Sequence, residues 1–315
     1  PVETYRLVVS PTLPTIPLFT LAGYFLAEGG ASKRLVRVFQ ALAGWVRGGP
    51  AIATVMVCAF FTSFTGASGV TILALGGLLM PVLLAARCSE KHSLGLLTAG
   101  GSLGLLFPPS LPVILYGIVA HTPIDRMFLG GFVPGILMLL LAGWWGSRQA
   151  GGAGRATRKF DPHEAWAAIK EAKWELLLPI VVLTGLYGGF ATLVEAAALT
   201  ALYAFVVETF VYRDLKLKDD VLHTMTECGI LVGGVLLILG VALGLTSYLV
   251  DAEVPARAVA WVKGAIESPL VFLLLLNVFL LLVGCLMDIF SAIVVVVPLI
   301  VPMGEAFGID PVHLG

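Results

Sequence analysis

Short oxygen-bearing side chains crowd one stretch of the chain, where Thr62, Ser63, Thr65, Ser68 and Thr71 surround the turn Gly66-Ala67-Ser68-Gly69. A small hard cation takes hydroxyl and carbonyl oxygens as ligands. The same side chains can instead satisfy neighbouring backbone and let helices pack closely, as small residues do in bilayers. The run Gly100-Gly101-Ser102-Leu103-Gly104-Leu105-Leu106-Phe107-Pro108-Pro109-Ser110-Leu111-Pro112 is more specific. Its prolines remove backbone donors and obstruct the turn behind them, so the carbonyls near Gly104 and Leu105 lose their helical partners. Hydrocarbon cannot satisfy those carbonyls, which must face protein, a water-filled cavity or an ion. A half-helix starting after this break would present its positive end to an anion such as a carboxylate.

Asp288 lies between two strongly apolar runs, where a charge is expensive unless it meets a cation, a donor or water. It could also cap the returning helix. Glu195, with Thr192 nearby, reads as a stabiliser of the helix that follows. Glu208 and Asn277 read as interhelical hydrogen-bonding groups, and His121 as a boundary residue beside Thr122 and Pro123.

The elements that must position these residues are membrane helices. The 315 residues are 58% hydrophobic and 12% charged, with a mean hydropathy of +0.99, against about 45–50% and 25% in soluble domains. Leu270–Leu286 carries only Asn277 as relief. Apolar runs fall at about 13–28, 50–66, 69–86, 94–107, 111–120, 128–146, 176–192, 194–211, 229–250, 269–285 and 289–303. Several are shorter than the roughly 20 residues a full span needs. Residues 176–211 exceed one span and are expected to turn near Phe190–Val194.

A net charge of -1 with no basic stripe excludes nucleic acid. Cys58, Cys88, Cys228 and Cys285 are scattered without metal-ligand spacing. No nucleophile with a base and no phosphate loop is present, which leaves neither an enzyme nor direct ATP use any residues to stand on. The segment Arg148–Lys173 carries Arg148, Arg155, Arg158, Lys159, Lys170 and Lys173, placing it in the cytoplasm. Its start, Gly151-Gly152-Ala153-Gly154, reads as a flexible linker. His163–Trp174 and Lys33–Arg47 are expected to form amphipathic helices on the membrane, the second with Lys33, Arg34 and Arg37 on its polar face. The chain begins at Pro1 without a signal-like segment and stops abruptly at Gly315, so residues are expected to be missing at both ends.

An internal repeat flanks the central linker. Gly66 to Pro81 and Met287 to Pro302 have equal separations, and interrupted apolar segments at corresponding places of two halves point to a transporter's binding site. The expected organisation is a first half over 1–147, a cytoplasmic linker over 148–175 and a second half over 176–315.

Ile16-Pro17-Leu18-Phe19 with Gly23, Arg47-Gly48-Gly49, the Phe64–Gly69 turn, Gly104 with Pro108-Pro109-Ser110 and Pro112, Glu195-Ala196-Ala197-Ala198, and Met287-Asp288 ahead of Pro298 and Pro302 run nearly end to end. In order and spacing they resemble the large membrane (M) subunit of tripartite ATP-independent periplasmic (TRAP) transporters. The resemblance implies an all-α polytopic membrane protein of the bacterial inner membrane. It implies an elevator-type transporter with inverted repeats, re-entrant hairpins and discontinuous helices. It further implies Na+ as coupling ion with no organic cofactor, a small membrane (Q) subunit, and a periplasmic substrate-binding (P) protein that delivers an organic acid.

Carried over by position, the first hairpin tip is Gly66–Gly69, its partner break Gly101–Pro112, and the second tip Gly284–Asp288. Sodium is expected at Thr65, Gly66, Ser68, Gly101, Gly104, Pro108 and Asp288, and the carboxylate at Ser68, Gly69, Pro109 and Ser110. Three features depart from the family pattern. The first turn has fewer serines, which favours carbonyl ligation; the usual Thr-Pro-Thr-Glu is Thr192-Leu193-Val194-Glu195; and the break that would pair with the second hairpin lies beyond Gly315. Two other readings stand beside this one: a stand-alone sodium/carboxylate or anion carrier of the same superfamily, and a non-transporting membrane scaffold.

Overall fold

A computed structural model describes Tyr5, Val9 and residues 11–149, 160–266 and 268–315. The expected linker Gly151–Gly154, together with Arg155, Arg158 and Lys159, lies outside the described residues.

The described residues form helices in the order α1 (Thr15–Glu28), α2 (Ala31–Ala43), α3 (Gly49–Thr65), α4 (Ser68–Ala85) and α5 (Glu90–Leu103). A 3-10 turn at Gly104–Leu106 follows, then α6 (Leu111–Val119), α7 (Ile124–Gln149), α8 (Pro162–Glu171), α9 (Lys173–Tyr187) and α10 (Leu193–Val206). One π-helical turn, Val207–Val211, extends α10, and α11 (Asp220–Asp251), α12 (Val254–Ala265), α13 (Pro269–Leu286), α14 (Ile289–Ala306) and α15 (Pro311–Leu314) complete the chain. Among the described residues six helices are long and apolar enough to cross a membrane, and the broken pair Glu90–Leu106 with Leu111–Val119 makes up to seven. The protein is therefore an all-α polytopic membrane protein, with leucines such as Leu73, Leu140 and Leu274 exposed on its long helices.

Each hairpin begins with proline in the first turn of its entering helix, Pro50 in α3 and Pro269 in α13. Proline suits that position because its missing N–H has no helical partner there anyway. The returning helices α4 and α14 both have 18 residues. Pro81 and Pro302 each fall at the fourteenth position, counted from Ser68 and from Ile289. The expected turn within 176–211 lies between Tyr187 and Leu193. There Thr192 and Glu195 form a reciprocal capping box, with Thr192 N–H donating to Glu195 Oε2 at 2.7 Å and Glu195 N–H to Thr192 Oγ1 at 3.3 Å. This closes the entry to α10 although Leu193 and Val194 replace the family's middle residues.

Helix α11 starts at Asp220, ahead of the apolar run that begins near 229. Two expectations need correction. Asn277 donates to Leu273 O at 2.9 Å within its own helix instead of bonding across helices. Arg34 does not sit on a solvated polar face; it is 8% exposed, buried by partners far away in sequence.

The two amphipathic helices pack on each other. Val38 of α2 meets Ala168 and Ala172 at the end of α8, and Arg37 reaches Glu164 at 2.9 Å and also pairs with Glu171. The residue Trp174, expected in the same helix as His163, lies in the first turn of α9, which starts at Lys173 after a break at Ala172.

Two compact units divide the chain. One comprises Pro14–Leu111 and Gly131–Gly229; the other comprises Pro1–Leu13, Pro112–Gly130 and Ile230–Gly315. The first has Phe19, Phe61, Phe64 and Leu35 fully buried. In the second, Leu115, Leu239 and Val294 form one core cluster, and Tyr116, Met127, Val297 and Val301 another. Tyr116 also ties down α15 by donating from its hydroxyl to Pro311 O at 2.8 Å.

Candidate functional site

Helix α3 stops because Gly66 adopts the left-handed conformation, with φ 65° and ψ 3°, and its N–H returns to Thr62 O at 2.8 Å. Glycine populates that region without steric cost. Ala67 is extended, and α4 restarts at Ser68. The expected hairpin tip is thus a two-residue reversal at Gly66-Ala67, with Ser68 half-buried and Gly69 exposed on the returning turn.

The hydroxyls around this tip are engaged with one another and with backbone. Thr62 Oγ1 lies 2.8 Å from Cys58 O and 2.8 Å from Thr71 Oγ1, and Thr65 Oγ1 lies 2.9 Å from Thr71 Oγ1. Ser63 donates to Phe60 O at 2.7 Å. Thr62, Thr65 and Thr71 are fully buried, so the chain of hydroxyls pins the last turn of α3 to the first turn of α4.

The break opposite begins where α5 tightens into the 3-10 turn Gly104–Leu106. Pro108 and Pro109 offer no N–H to the carbonyls of Gly104 and Leu105, the acceptors they would serve in an α-helix. Phe107 N–H turns back onto Gly104 O at 3.1 Å, and Ser110 N–H onto Phe107 O at 3.1 Å. The Gly104 carbonyl is therefore engaged, a correction to its expected freedom, although a carbonyl retains a second lone pair. The Pro108-Pro109 peptide is cis. Pro108, Pro109 and Ser110 are buried, and Ser110 Oγ has no hydrogen-bond partner among the described residues. A buried hydroxyl without a partner costs about 1–3 kcal/mol, and this one stands immediately before the first turn of α6.

Close backbone approach brings tip and break together. A Cβ on Gly66 would overlap the side chain of Leu111; one on Gly104 would overlap Ala59 O and Thr62 Cβ. A Cβ on Gly101 would lie 3.0 Å from Ile72 Cγ1 and 3.5 Å from Ser68 O. Gly23 of α1 supports the tip from another side, since a Cβ there would fall 2.6 Å from both Phe64 O and Thr65 Cα. Sequence reasoning gave Gly23 no role; its place in the Ile16–Gly23 motif was the available signal.

Thr65, Gly66, Ser68, Gly69, Gly101, Gly104, Pro108, Pro109 and Ser110 therefore share one compact unit, on one hairpin and its partner break. Asp288 belongs to the other unit. It caps α14, accepting from Phe290 N–H at 3.0 Å, Ser291 N–H at 3.1 Å and Ser291 Oγ at 2.5 Å. Its tip is Met287-Asp288, between α13 and α14. No group of three or more His, Cys, Asp or Glu able to hold a metal occurs among the described residues.

An ion cluster near the helix α1–α2 corner was not foreseen. Arg34 donates through Nη2 to both oxygens of Glu208 at 3.0 Å, through Nη1 to Asp214 at 2.5 Å, and through Nε to Glu175. Its guanidinium lies 3.7 Å from the Tyr212 ring centroid. Glu175 and Glu208 are buried. Burial works against the charge on Arg34, but the hydrogen bond to Asp214 and the fields of Glu208 and Glu175 outweigh it and raise its pKa. Glu208 does bridge helices, as expected of it, with Arg34 as the partner.

Multiple apolar spans, a two-residue hairpin tip and an unwound proline break define the class as a polytopic membrane transporter. The family model described as "Tripartite ATP-independent periplasmic transporter, DctM component" matches residues 3–315. The chain is 35% identical to the C4-dicarboxylate TRAP transporter large permease protein DctM of Vibrio cholerae, over 96% of this chain and 72% of that protein. It is 34% identical to the isethionate TRAP transporter permease protein DctMQ of Oleidesulfovibrio alaskensis, over 95% and 47%. It is 30% identical to the ectoine/5-hydroxyectoine TRAP transporter large permease protein UehC of Ruegeria pomeroyi, over 96% and 71%. The chain belongs to the DctM family of TRAP transporter large permeases. Its work is transport, and it is not an enzyme.

Proposed function

We propose that this chain carries an organic acid across the bacterial inner membrane by sodium-coupled secondary uptake. The acid is delivered by a periplasmic binding protein, and a small membrane subunit accompanies the permease. Relatives named for C4-dicarboxylates, isethionate and 2,3-diketo-L-gulonate support an organic-acid substrate class.

The observation that carries this reading is the buried, unpartnered hydroxyl of Ser110 at the proline break. A polar atom left unsatisfied at an unwound segment suits a site completed by ligand. Sodium binds among the oxygens of Thr65, Gly66, Ser68, Gly101, Gly104 and Pro108, and Asp288 at the second hairpin is a separate sodium ligand. The solute carboxylate then meets Ser68, Gly69, Pro109 and Ser110 and the positive end of α6. Neutral carbonyls and hydroxyls fit a monovalent cation that must also be released on the far side.

The inverted halves 1–147 and 176–315, joined by the linker 148–175, provide a moving transport domain in an elevator mechanism. Proteoliposomes holding the full-length subunits and the binding protein test the coupling. Uptake should collapse when the inward sodium gradient is replaced by potassium; undiminished uptake would refute the sodium claim.

A further inference from the structure

Away from the proposed site, a cavity of about 310 Å³ lies between the start of α5 and the end of α7. It is lined by the polar side chains of Lys91, His92 and Gln149 and by the apolar Leu96, Ala99 and Trp145, and no acidic side chain lines it. Gly146 lets α7 approach here: a Cβ would lie 2.9 Å from Leu96 Cδ1 and 3.1 Å from Ala51 Cβ. The wall does not end at the cavity. Leu137, Leu141 and Trp145 follow one another at four-residue spacing on α7, 57%, 50% and 59% exposed. Four-residue spacing puts them on one helix face, an apolar track leading from the cavity toward the middle of α7.

Two observations favour a level for this cavity near the membrane interface. The Arg148 guanidinium sits 4.2 Å from the Trp144 ring centroid, in the last turn of α7. Tryptophan with a basic residue at a helix end is the usual anchor at the membrane interface. Arg87 in the α4–α5 connection and Lys91 in the first turn of α5 outnumber the neighbouring Glu90, which favours the basic, cytoplasmic side for the cavity's mouth.

We propose that this cavity is a binding site for one anionic phospholipid. Lys91 and His92 hold the phosphodiester; Leu96, Ala99 and Trp145 receive the glycerol end of the chains; the acyl tails run down Leu141 and Leu137. A zwitterionic lipid shares the tails but brings a cation next to Lys91. A free phosphate shares the headgroup contact but leaves the apolar wall uncovered. Basic pockets between membrane helices on the cytoplasmic side recognise anionic headgroups in this way.

Native mass spectrometry and thermal melting of the purified full-length permease test the assignment, using phosphatidylglycerol, phosphatidylcholine with the same chains, and glycerol 3-phosphate. Phosphatidylglycerol should be retained in preference and raise the melting temperature, while phosphatidylcholine and glycerol 3-phosphate leave it unmoved. Lys91→Glu should cut phosphatidylglycerol retention at least five-fold, and Lys91→Arg should preserve it. If Lys91→Glu does not fold, Trp145→Ala gives the same reading through lost retention. Equal retention of the two lipids overturns the proposal. So does an equal shift with glycerol 3-phosphate, or undiminished phosphatidylglycerol binding in a folded Lys91→Glu or Trp145→Ala variant.

Discussion

Gly66 and Leu111 occupy adjoining space so closely that a single methyl group on Gly66 would overlap the Leu111 side chain. The reversal of the first hairpin and the restart of the broken helix are therefore one packed feature. Gly66 is also the residue with φ 65°, so its identity is required by backbone and by packing together.

Gly66→Ala should impair both. The left-handed conformation costs a non-glycine residue about 1–2 kcal/mol, and overpacking typically adds about 1–3 kcal/mol. The expected result is a lower melting temperature with uptake reduced at least ten-fold. Melting and uptake measured on the same preparation check it, and a wild-type melting temperature would contradict the packing account.

Ser110→Ala should separate stability from function. The substitution removes a buried hydroxyl that has no partner, so the melting temperature should hold or rise, in line with the about 1–3 kcal/mol that an unsatisfied buried polar group costs. Uptake should nevertheless fall about ten-fold, the size of one lost hydrogen bond to a charged ligand. Loss of stability with uptake intact would mean that the hydroxyl serves the fold.

Arg34→Met should be among the most damaging changes outside the site. It leaves Glu175 and Glu208 buried without their counter-ion, and stripping one partner from a buried ion pair costs about 3–5 kcal/mol. Arg34→Lys should rescue little, because an ammonium cannot reproduce the guanidinium fork that serves three carboxylates. Arg37→Ala, whose pairs with Glu164 and Glu171 are exposed, should melt close to wild type. Membrane expression and thermal melting of the three variants make the comparison.

Asp288→Asn should distinguish a cap from an ion ligand. Asparagine caps a helix about as well as aspartate, so α14 should keep its start and the protein its melting temperature. If the charge also serves sodium, the sodium concentration for half-maximal uptake should rise several-fold. An unchanged sodium dependence would leave Asp288 as a cap alone.

How much could be read from residues alone follows from the range of the interactions. Pro108-Pro109 and Gly66 act on their own turns, so the break and the tip were legible at the right residues. The capping box at Thr192 and Glu195 spans three residues and was equally local. Arg34 was misplaced on a solvated face because helical periodicity records only its own helix. Its partners lie 141, 174 and 180 residues away. The role of Gly23 was hidden for the same reason, since the Phe64 carbonyl it accommodates belongs to another helix. Which hydroxyls bond each other and which stands alone was equally out of reach. Thr62, Thr65 and Thr71 pair among themselves, whereas Ser110 does not, and only packing decides that.

The most direct test of the central claim, one sodium-organised carboxylate site at the first hairpin and its break, is carboxylate binding to the purified full-length permease as sodium is titrated. Binding should appear with sodium, fail in potassium at equal ionic strength, and weaken about ten-fold in Ser110→Ala, the size of one hydrogen bond to a charged group. Binding of equal strength in potassium, or undiminished in a folded Ser110→Ala variant, would contradict the account.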